Sequence, residues 1–478
     1  MPLAPKSKRI NQKKFYKRRA FWIILAGVLL AIIAGYYIKN NTQSFAISSL
    51  NVFQKVSRIL PLSPDTKKEV EVINDLVAKY TAKDNVEHTF LLLLQNNYEI
   101  RPGGGFLGQY AIVKVKNGEV LSTKFEDANI LDQRMNADVT PPAALTRKLQ
   151  IKKWKFRDSN FSPDYPTNVE KALYFYRLAG GGSENQFDGV IAVNADVFNH
   201  VLELTGPITP AGYNTTFTKD DGARKLEEVV EKAYLGEDVS AEAKQARKNI
   251  MRVLTSELST KLMTLGNIPK IADLGLNELR NKNVMVWIRD ENIQKKIAEV
   301  KWDGAVDQTW NKDYLMFVDA NLGGLKTDYH VYRSINYTVD FTTGGKPFAT
   351  AVYTYNNKAP RADWQTTDYH TFVRLYVPKG SVYKERFMIN AVTMGDDLGH
   401  YFMGGYVDAE IGQGDVTTTL KYELPDTITF KDYELKIQKQ SGIKPLPVNI
   451  KLITPEGTFE QKSEIIHDTV FKFTETEE

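Results

Sequence analysis

The sequence predicts an α+β multidomain chain: an N-terminal transmembrane helix, an α/β layer domain and a C-terminal all-β sandwich. Three observations predict it. One uncharged apolar run stands behind a cationic tail, strand and helix patterns alternate up to about residue 326, and only period-two patterns follow. The 478 residues suffice for two or three domains, and 42% hydrophobic against 25% charged residues is a globular composition. The formal charge of +4 divides unevenly. Residues 1–19 carry eight cations and no acid, leaving 54 basic against 58 acidic side chains in the remainder. Nucleic acid is therefore not an expected partner. With no cysteine in the chain, disulfides, thiolate metal sites and cysteine nucleophiles are excluded.

Residues 1–19 read as a cytoplasmic basic tail and residues 20–38 (AFWIILAGVLLAIIAGYYI) as the transmembrane helix. At 1.5 Å per residue this run spans about 28 Å, close to the hydrocarbon thickness of a bilayer. Phe21 and Trp22 at one end and Tyr36 and Tyr37 at the other suit the two lipid interfaces. The positive-inside rule keeps the tail in the cytoplasm and puts residues from Lys39 onward outside. A cleaved signal would have a shorter apolar region and a small-residue cleavage site, and a core helix is rarely apolar on every face. The expectation is a single-pass protein anchored in the lipid bilayer, with most of its mass extracytoplasmic.

Residues 39–64 read as a stalk. The α/β domain is expected over 65–326. Ser63-Pro64-Asp65 starts a helix that carries Val70, Ile73, Val77 and Tyr80 on one face. Residues 87–95 form a short buried strand, and 110–115 with 119–125 form a hairpin, because Asn117-Gly118 tolerates the positive φ angles of a tight turn. A helix over 166–178 ends at Gly180, a strand covers 189–194 and a short helix 195–204. From Ala241 the apolar positions 243, 246, 250, 254, 258 and 262 mark a long helix, followed by a strand at 283–288 and a helix at 291–300. The sandwich is expected over 327–470. There Val331, Ile335, Tyr337, Val339 and Phe341 alternate with Tyr332, Ser334, Asn336, Thr338 and Asp340, and strands recur at 349–355, 372–377, 417–424 and 434–440.

The stretch most suggestive of chemistry is 95–109, QNNYEIRPGGGFLGQ. Gly103, Gly104 and Gly105 let backbone amides approach an anion, and Arg101 offers a fork of donors beside them. The competing reading is a wide turn between strands with Arg101 paired to Glu99. It is neither a Walker loop nor a dinucleotide fingerprint. A second patch, 157–164 (RDSNFSPD), places Arg157, Asp158 and Asn160 before a helix N-terminus. Alternatively Ser162 or Asp164 simply caps that helix. Glu126, Asp127 and Asp132 offer oxygen ligands to a divalent cation, or form a solvated acidic loop. Asp319 to Gly324 lacks the remaining ligands of a calcium loop and reads as a turn between domains. The six histidines are scattered, His200 reads as packed in an apolar helix, and no nucleophile elbow is present.

FLLLLQNNYEIRPGGGFLGQY (90–110) resembles the signature of the domain-of-unknown-function family 4012, found in bacterial envelope proteins. RDSNFSPDYP, DGVIAVN, LELTGPI and DYLMFVDANLGGLKTDYHVYRSINY resemble its later blocks, so the resemblance extends over roughly 85–440. The order of strand, arginine turn, hairpin, helix and DGVIAVN also resembles, distantly, the LytR-CpsA-Psr fold of anchored enzymes that move glycopolymers from a polyprenyl pyrophosphate carrier. That resemblance implies Arg101 and Arg157 as ligand-binding residues, beside Gly103, Gly104, Gly105 and Asn160, which the turn and the loop themselves offer as ligand-binding candidates. It implies Asp127 or Asp158 as the catalytic carboxylate, and a divalent cation such as Mg²⁺. The usual acid beside the first arginine is replaced here by the glycines. The expected function is an envelope protein of transferase type that binds a polyprenyl-linked phosphate or cell-wall glycan precursor. The alternative is a non-catalytic adhesion or scaffold protein with a ligand-binding sandwich.

Overall fold

The computed structural model describes residues 63–183, 186–232, 241–264 and 268–473. The expected basic tail, the transmembrane helix at 20–38 and nearly all of the stalk lie outside the described residues. Among those described, no helix is long and apolar enough to cross a membrane. The described chain is a mixed α/β structure with nine α-helices and three sheets.

The first sheet has the order β3-β2-β1-β4-β5, formed by β1 (Glu87–Asn96), β2 (Phe106–Lys116), β3 (Glu119–Asp127), β4 (Gly189–Asn194) and β5 (Val284–Ile288). Only the β1–β4 pair is parallel. The β2–β3 turn is the expected one, with Asn117 at φ 52° and Gly118 at φ 75°. The unbroken run of apolar residues in β1 has a simple cause, since both faces of the sheet are covered. Phe90 and Leu92 pack against α1 (Pro64–Tyr80), α8 (Ile268–Arg280) and α9 (Glu291–Glu299). Leu91 and Leu93 pack on the opposite face, against α2 (Ala128–Arg134) and α4 (Tyr165–Leu178). Each such leucine contributes about 1.5–3 kcal/mol of burial free energy. A smaller helical outgrowth joins α5 (Asp196–Thr205), α6 (Gly222–Lys232) and α7 (Ala241–Thr264) around Leu202, Phe217, Ile250 and Leu254. His200 on α5 is half-exposed, not packed, and its Nδ1 lies 2.7 Å from the buried Glu278 carboxylate of α8.

Two six-stranded sheets face each other in the C-terminal half and share one apolar core. One has the order β10-β13-β8-β7-β15-β16, with β7 (Val331–Asp340) and β8 (Phe348–Asn357) central, β10 (Val382–Phe387) and β13 (Asp415–Glu423) on one side, and β15 (Leu446–Thr454) and β16 (Gly457–Ile465) on the other. The other has the order β11-β12-β9-β6-β14-β17, with β6 (Asp313–Asn321), β9 (Tyr369–Val377), β11 (Asn390–Asp397), β12 (His400–Ala409), β14 (Glu434–Ile437) and β17 (Thr469–Lys472). Strand β6 is buried along its whole length. It lies inside the second sheet although its sequence falls in the stretch read as α/β domain. Asp319 and Asn321, read from sequence as a turn, are the buried end of this strand. Strand β14 stops at Ile437, and residues 438–444 leave the sheet to run along the boundary between the two halves.

Candidate functional site

Arg101 follows β1 at this boundary, where chain from both halves converges. Its side chain is only 2% exposed. Nη2 donates to Glu99 at 2.9 Å, Nη1 donates to the Asn321 carbonyl at 2.8 Å, and Nε lies 3.5 Å from Asp158. The guanidinium carbon sits 5.2 Å from the Phe106 ring centroid. Burial alone would push this guanidinium down, but the Glu99 and Asp158 carboxylates more than offset it and raise it. Every named partner belongs to the protein, and one of them, Asn321, belongs to the sandwich.

The glycines do the same on the backbone. Gly103 N–H donates to the Asn160 carbonyl at 3.0 Å and Gly104 N–H to the Arg101 carbonyl at 2.9 Å. Gly105 N–H donates to Gln95 Oε1 at 3.0 Å. A Cβ at any of the three would approach Asn168, Gln95 or the Asn96 backbone closer than 3 Å, and Gly104 also has φ +130°. Glycine is therefore demanded here by close packing. Asn160 Nδ2 completes the turn by donating to Gln95 Oε1 and to the Gly105 carbonyl.

Asp158 joins Arg101 to the second sequence patch. The Arg157 side chain, 40% exposed, donates from Nη1 to Asn129 at 2.8 Å, and its Nε lies 3.4 Å from Asp132 and 4.0 Å from Asp158. Burial pushes the Asp132 carboxyl up to about 6, against the opposing pull of Arg157. Asp132 Oδ2 is buried and faces the Arg157 guanidinium at 3.4 Å. Asp127 plays another part, accepting from Asn129 N at 2.7 Å as the cap of α2. Asp164 caps α4 through Thr167 N and also accepts from Val306 N. Arg101, Asp158, Arg157, Asn160 and the three glycines thus cluster, while Asp127 serves a helix terminus at the cluster's edge. Among the described residues, no group of three or more His, Asp or Glu is placed to hold a metal ion.

The boundary also contains residues that the sequence reading did not single out. Gln440 donates to the carbonyls of Arg101 and Asp319 and accepts from Asp319 N. Ser441 donates to the Lys282 carbonyl and accepts from Asn194. Asp328 accepts from Ile100 N at 3.0 Å, and Asn321 N donates to the Ile100 carbonyl at 3.0 Å. Behind them Arg333 bonds Asp319 and Asp328 at 2.7 and 2.5 Å, and Tyr355 and Thr371 donate to Asp319. One signal for this network was present in the sequence. Arg333 occupies the inward phase of β7, between Val331 and Ile335, where a charge requires buried partners.

Residues 85–234 match the family model described as protein of unknown function (DUF4012). The match covers the arginine–glycine turn, the 157–164 loop, and α5 and α6. No curated protein matches the chain.

Proposed function

We propose that this protein is a membrane-anchored envelope protein whose extracytoplasmic part is a non-catalytic scaffold made of an α/β layer and a β-sandwich held as one body. The observation that carries this reading is the use of the arginine–glycine turn. Arg101 and the amides of Gly103, Gly104 and Gly105 donate to the protein's own acceptors, and on the sandwich side the Asn321 carbonyl accepts from Arg101 while Gln440 donates to the Arg101 carbonyl. A phosphate there would have to displace these bonds and enter a site where the arginine is nearly fully buried. The anchor is supported by the apolar run at 20–38 behind eight cations.

A second reading, the transferase type, is favoured by one specific observation. Arg157 is partly exposed beside Asp132 and Asp158, and its Nε pairs with the buried Asp132 Oδ2 at 3.4 Å. In that reading Arg157 binds the phosphate of a polyprenyl-linked glycan and Asp158 or Asp132 moves a proton. The distant LytR-CpsA-Psr resemblance supports it, and Mg²⁺ would supply charge neutralisation of the phosphate.

Titrating the full chain in detergent with a polyprenyl phosphate and Mg²⁺ separates the two. The scaffold reading expects no saturable change in tryptophan fluorescence. Saturable binding abolished by Arg157→Ala would establish the transferase reading instead. The anchor has its own test: alkaline carbonate should leave the chain in the membrane pellet, and release into the supernatant would refute it.

A further inference from the structure

A β-sheet ends in strands whose outer N–H and C=O groups have no partner, and such an edge accepts another chain unless something protects it. Among the described residues the three sheets have six edges. Five of them are protected. Strands β5 and β17 are short, with five and four residues. Strands β3, β10 and β11 pair irregularly with their neighbours. Their registers shift at Lys114/Val115 of β2, at Tyr383/Glu385 and at Asn390/Thr393. Such bulges twist an edge out of line for further pairing.

The sixth edge, β16, has none of these features. It runs for nine residues (GTFEQKSEI) without a proline. It pairs with β15 residue for residue, from Leu446 opposite Ile465 to Thr454 opposite Gly457, with no shift of register. Its first eight residues are exposed. Ile465 enters the sandwich core, so alternation puts Phe459, Gln461 and Ser463 on the core-side face and Thr458, Glu460, Lys462 and Glu464 on the outer face. No charge points inward, which is the remaining way to protect an edge. Phe459 instead leaves an apolar ring 42% exposed on that face.

The charges on the outer face fit a second copy of the same strand. Two antiparallel copies related by a two-fold axis keep their core-side faces together only in registers centred on a residue. Centring on Glu460 or on Lys462 sets that residue against itself. Centring on Gln461 sets Glu460 opposite Lys462 of the second copy, twice over, with Phe459 opposite Ser463 on the core side. Glu460 already meets Lys451 of β15 at 3.4 Å, and Lys462 forms no ion pair among the described residues. Pairing therefore completes a row Lys451–Glu460–Lys462 on each side of the axis. Opposite charges facing across strands stabilise a sheet and like charges destabilise it. Strand β10 shows the contrast: centred on Lys384, Glu385 or Arg386, it sets like charges against each other.

We infer that β16 is a self-association edge: two copies of this chain pair antiparallel through it, centred on Gln461, and join their sandwiches through one continuous sheet. Main-chain hydrogen bonds supply the attraction, and the Glu460–Lys462 pairs select the register. The same patch serves both copies, so the contact closes on itself as a dimer and does not propagate into a filament. The second copy also covers the edge that the fold leaves open.

The chain contains no cysteine, so single cysteines report the register in the full chain in detergent. Under mild oxidation Gln461→Cys should give a disulfide-linked dimer, because directly opposed residues stand about 4.5–5.5 Å apart at Cα. Glu460→Cys and Lys462→Cys should each stay unlinked alone and become linked when the two are mixed. Sedimentation supplies a second arm. Glu460→Lys and Lys462→Glu each oppose like charges and should each weaken the dimer about tenfold or more, with the thermal melt in place. Mixed in equal amounts, these two variants should associate as tightly as wild type does. A wild-type chain that sediments as a monomer would overturn the inference, and is the result expected if another segment of the same chain covers β16. A dimer indifferent to both charge variants would overturn it too, and would point to residues 20–38 as the contact. Linkage through Glu460→Cys alone, as strong as through Gln461→Cys, would contradict the register. Neither arm involves Arg157, so this experiment and the polyprenyl phosphate titration fail independently.

Discussion

The two ends of β6 treat a buried carboxylate in opposite ways. Asp319, at the boundary end, is paired with Arg333 and receives Tyr355 and Thr371. Asp313, six residues earlier on the same face, is paired with no cation among the described residues. It accepts from Tyr433 at 2.5 Å, from Tyr337 at 2.8 Å and from Tyr314 N. Burial pushes its carboxyl up to about 6 despite the tyrosine hydroxyls. Where two halves of the molecule must be held in register, charge is kept and compensated, because paired charges are directional. Inside one sandwich, apolar packing already fixes the geometry, and a lone carboxylate is tolerated at a cost. That a buried pair specifies the junction is a hypothesis for this protein, and substitutions can break it.

The largest effect is expected from Arg333→Met. It leaves Asp319 and Asp328 without their cation, so urea unfolding should show a loss of about 3–5 kcal/mol. A loss below about 1 kcal/mol would mean that the network does not hold the boundary. Gly442→Ala comes next. This residue has φ +82°, and an added Cβ would run into the Gly104 carbonyl. A loss of about 2–3 kcal/mol is expected, together with faster proteolysis between the halves. An unchanged melt would show that the boundary is loosely packed.

Asp313→Asn should act with the opposite sign. The folded carboxyl titrates near 6, above its ordinary value near 3.9. The stability it contributes is therefore fully present below about pH 4 and is lost as pH rises through about 6. At pH 8 the asparagine variant should be more stable than wild type by about 1–3 kcal/mol. It should also lose much of the slope of stability between pH 4 and 6, with Asp132 and Asp303, whose carboxyls burial also raises, contributing to the slope that remains. Denaturant melts at pH 4.5 and 8 check this, and a destabilised variant at pH 8 would contradict it. The smallest effect is expected from Asp164→Ala, which removes the cap of α4 and the Val306 bond, at about 1–2 kcal/mol. If it exceeded the Arg333 variant, the order of the comparison would be reversed.

Much of the layer was legible because its signals are local. The β2–β3 turn announces itself through Asn117-Gly118, and α4 and α9 through their caps and periodicity. The missed strands have physical reasons. The strand His400–Ala409 contains Gly404 and Gly405, which argue against a strand until their neighbours are known. A Cβ on either would meet Arg374, Val373 or Asn390 closer than 3 Å. The strand Asn390–Asp397 is an edge, exposed along much of its length, and shows no clean alternation. Sequence spacing also identified the cluster around Arg101, but not which way its donors point. Both readings of the turn used the same residues, and the choice between them depended on Asn321 and Gln440, which lie 220 and 339 positions further along.

Periodicity, turn chemistry and caps are written within a few residues, so composition and order alone prescribed an α/β half followed by a β half, and marked Arg101 and its glycines as unusual. Whether that arginine faces a ligand or another part of the chain is a matter of long-range closure. It was decided only when the 438–444 segment and the end of β6 were folded against the turn, because a buried guanidinium takes whichever acceptors packing brings within about 3 Å.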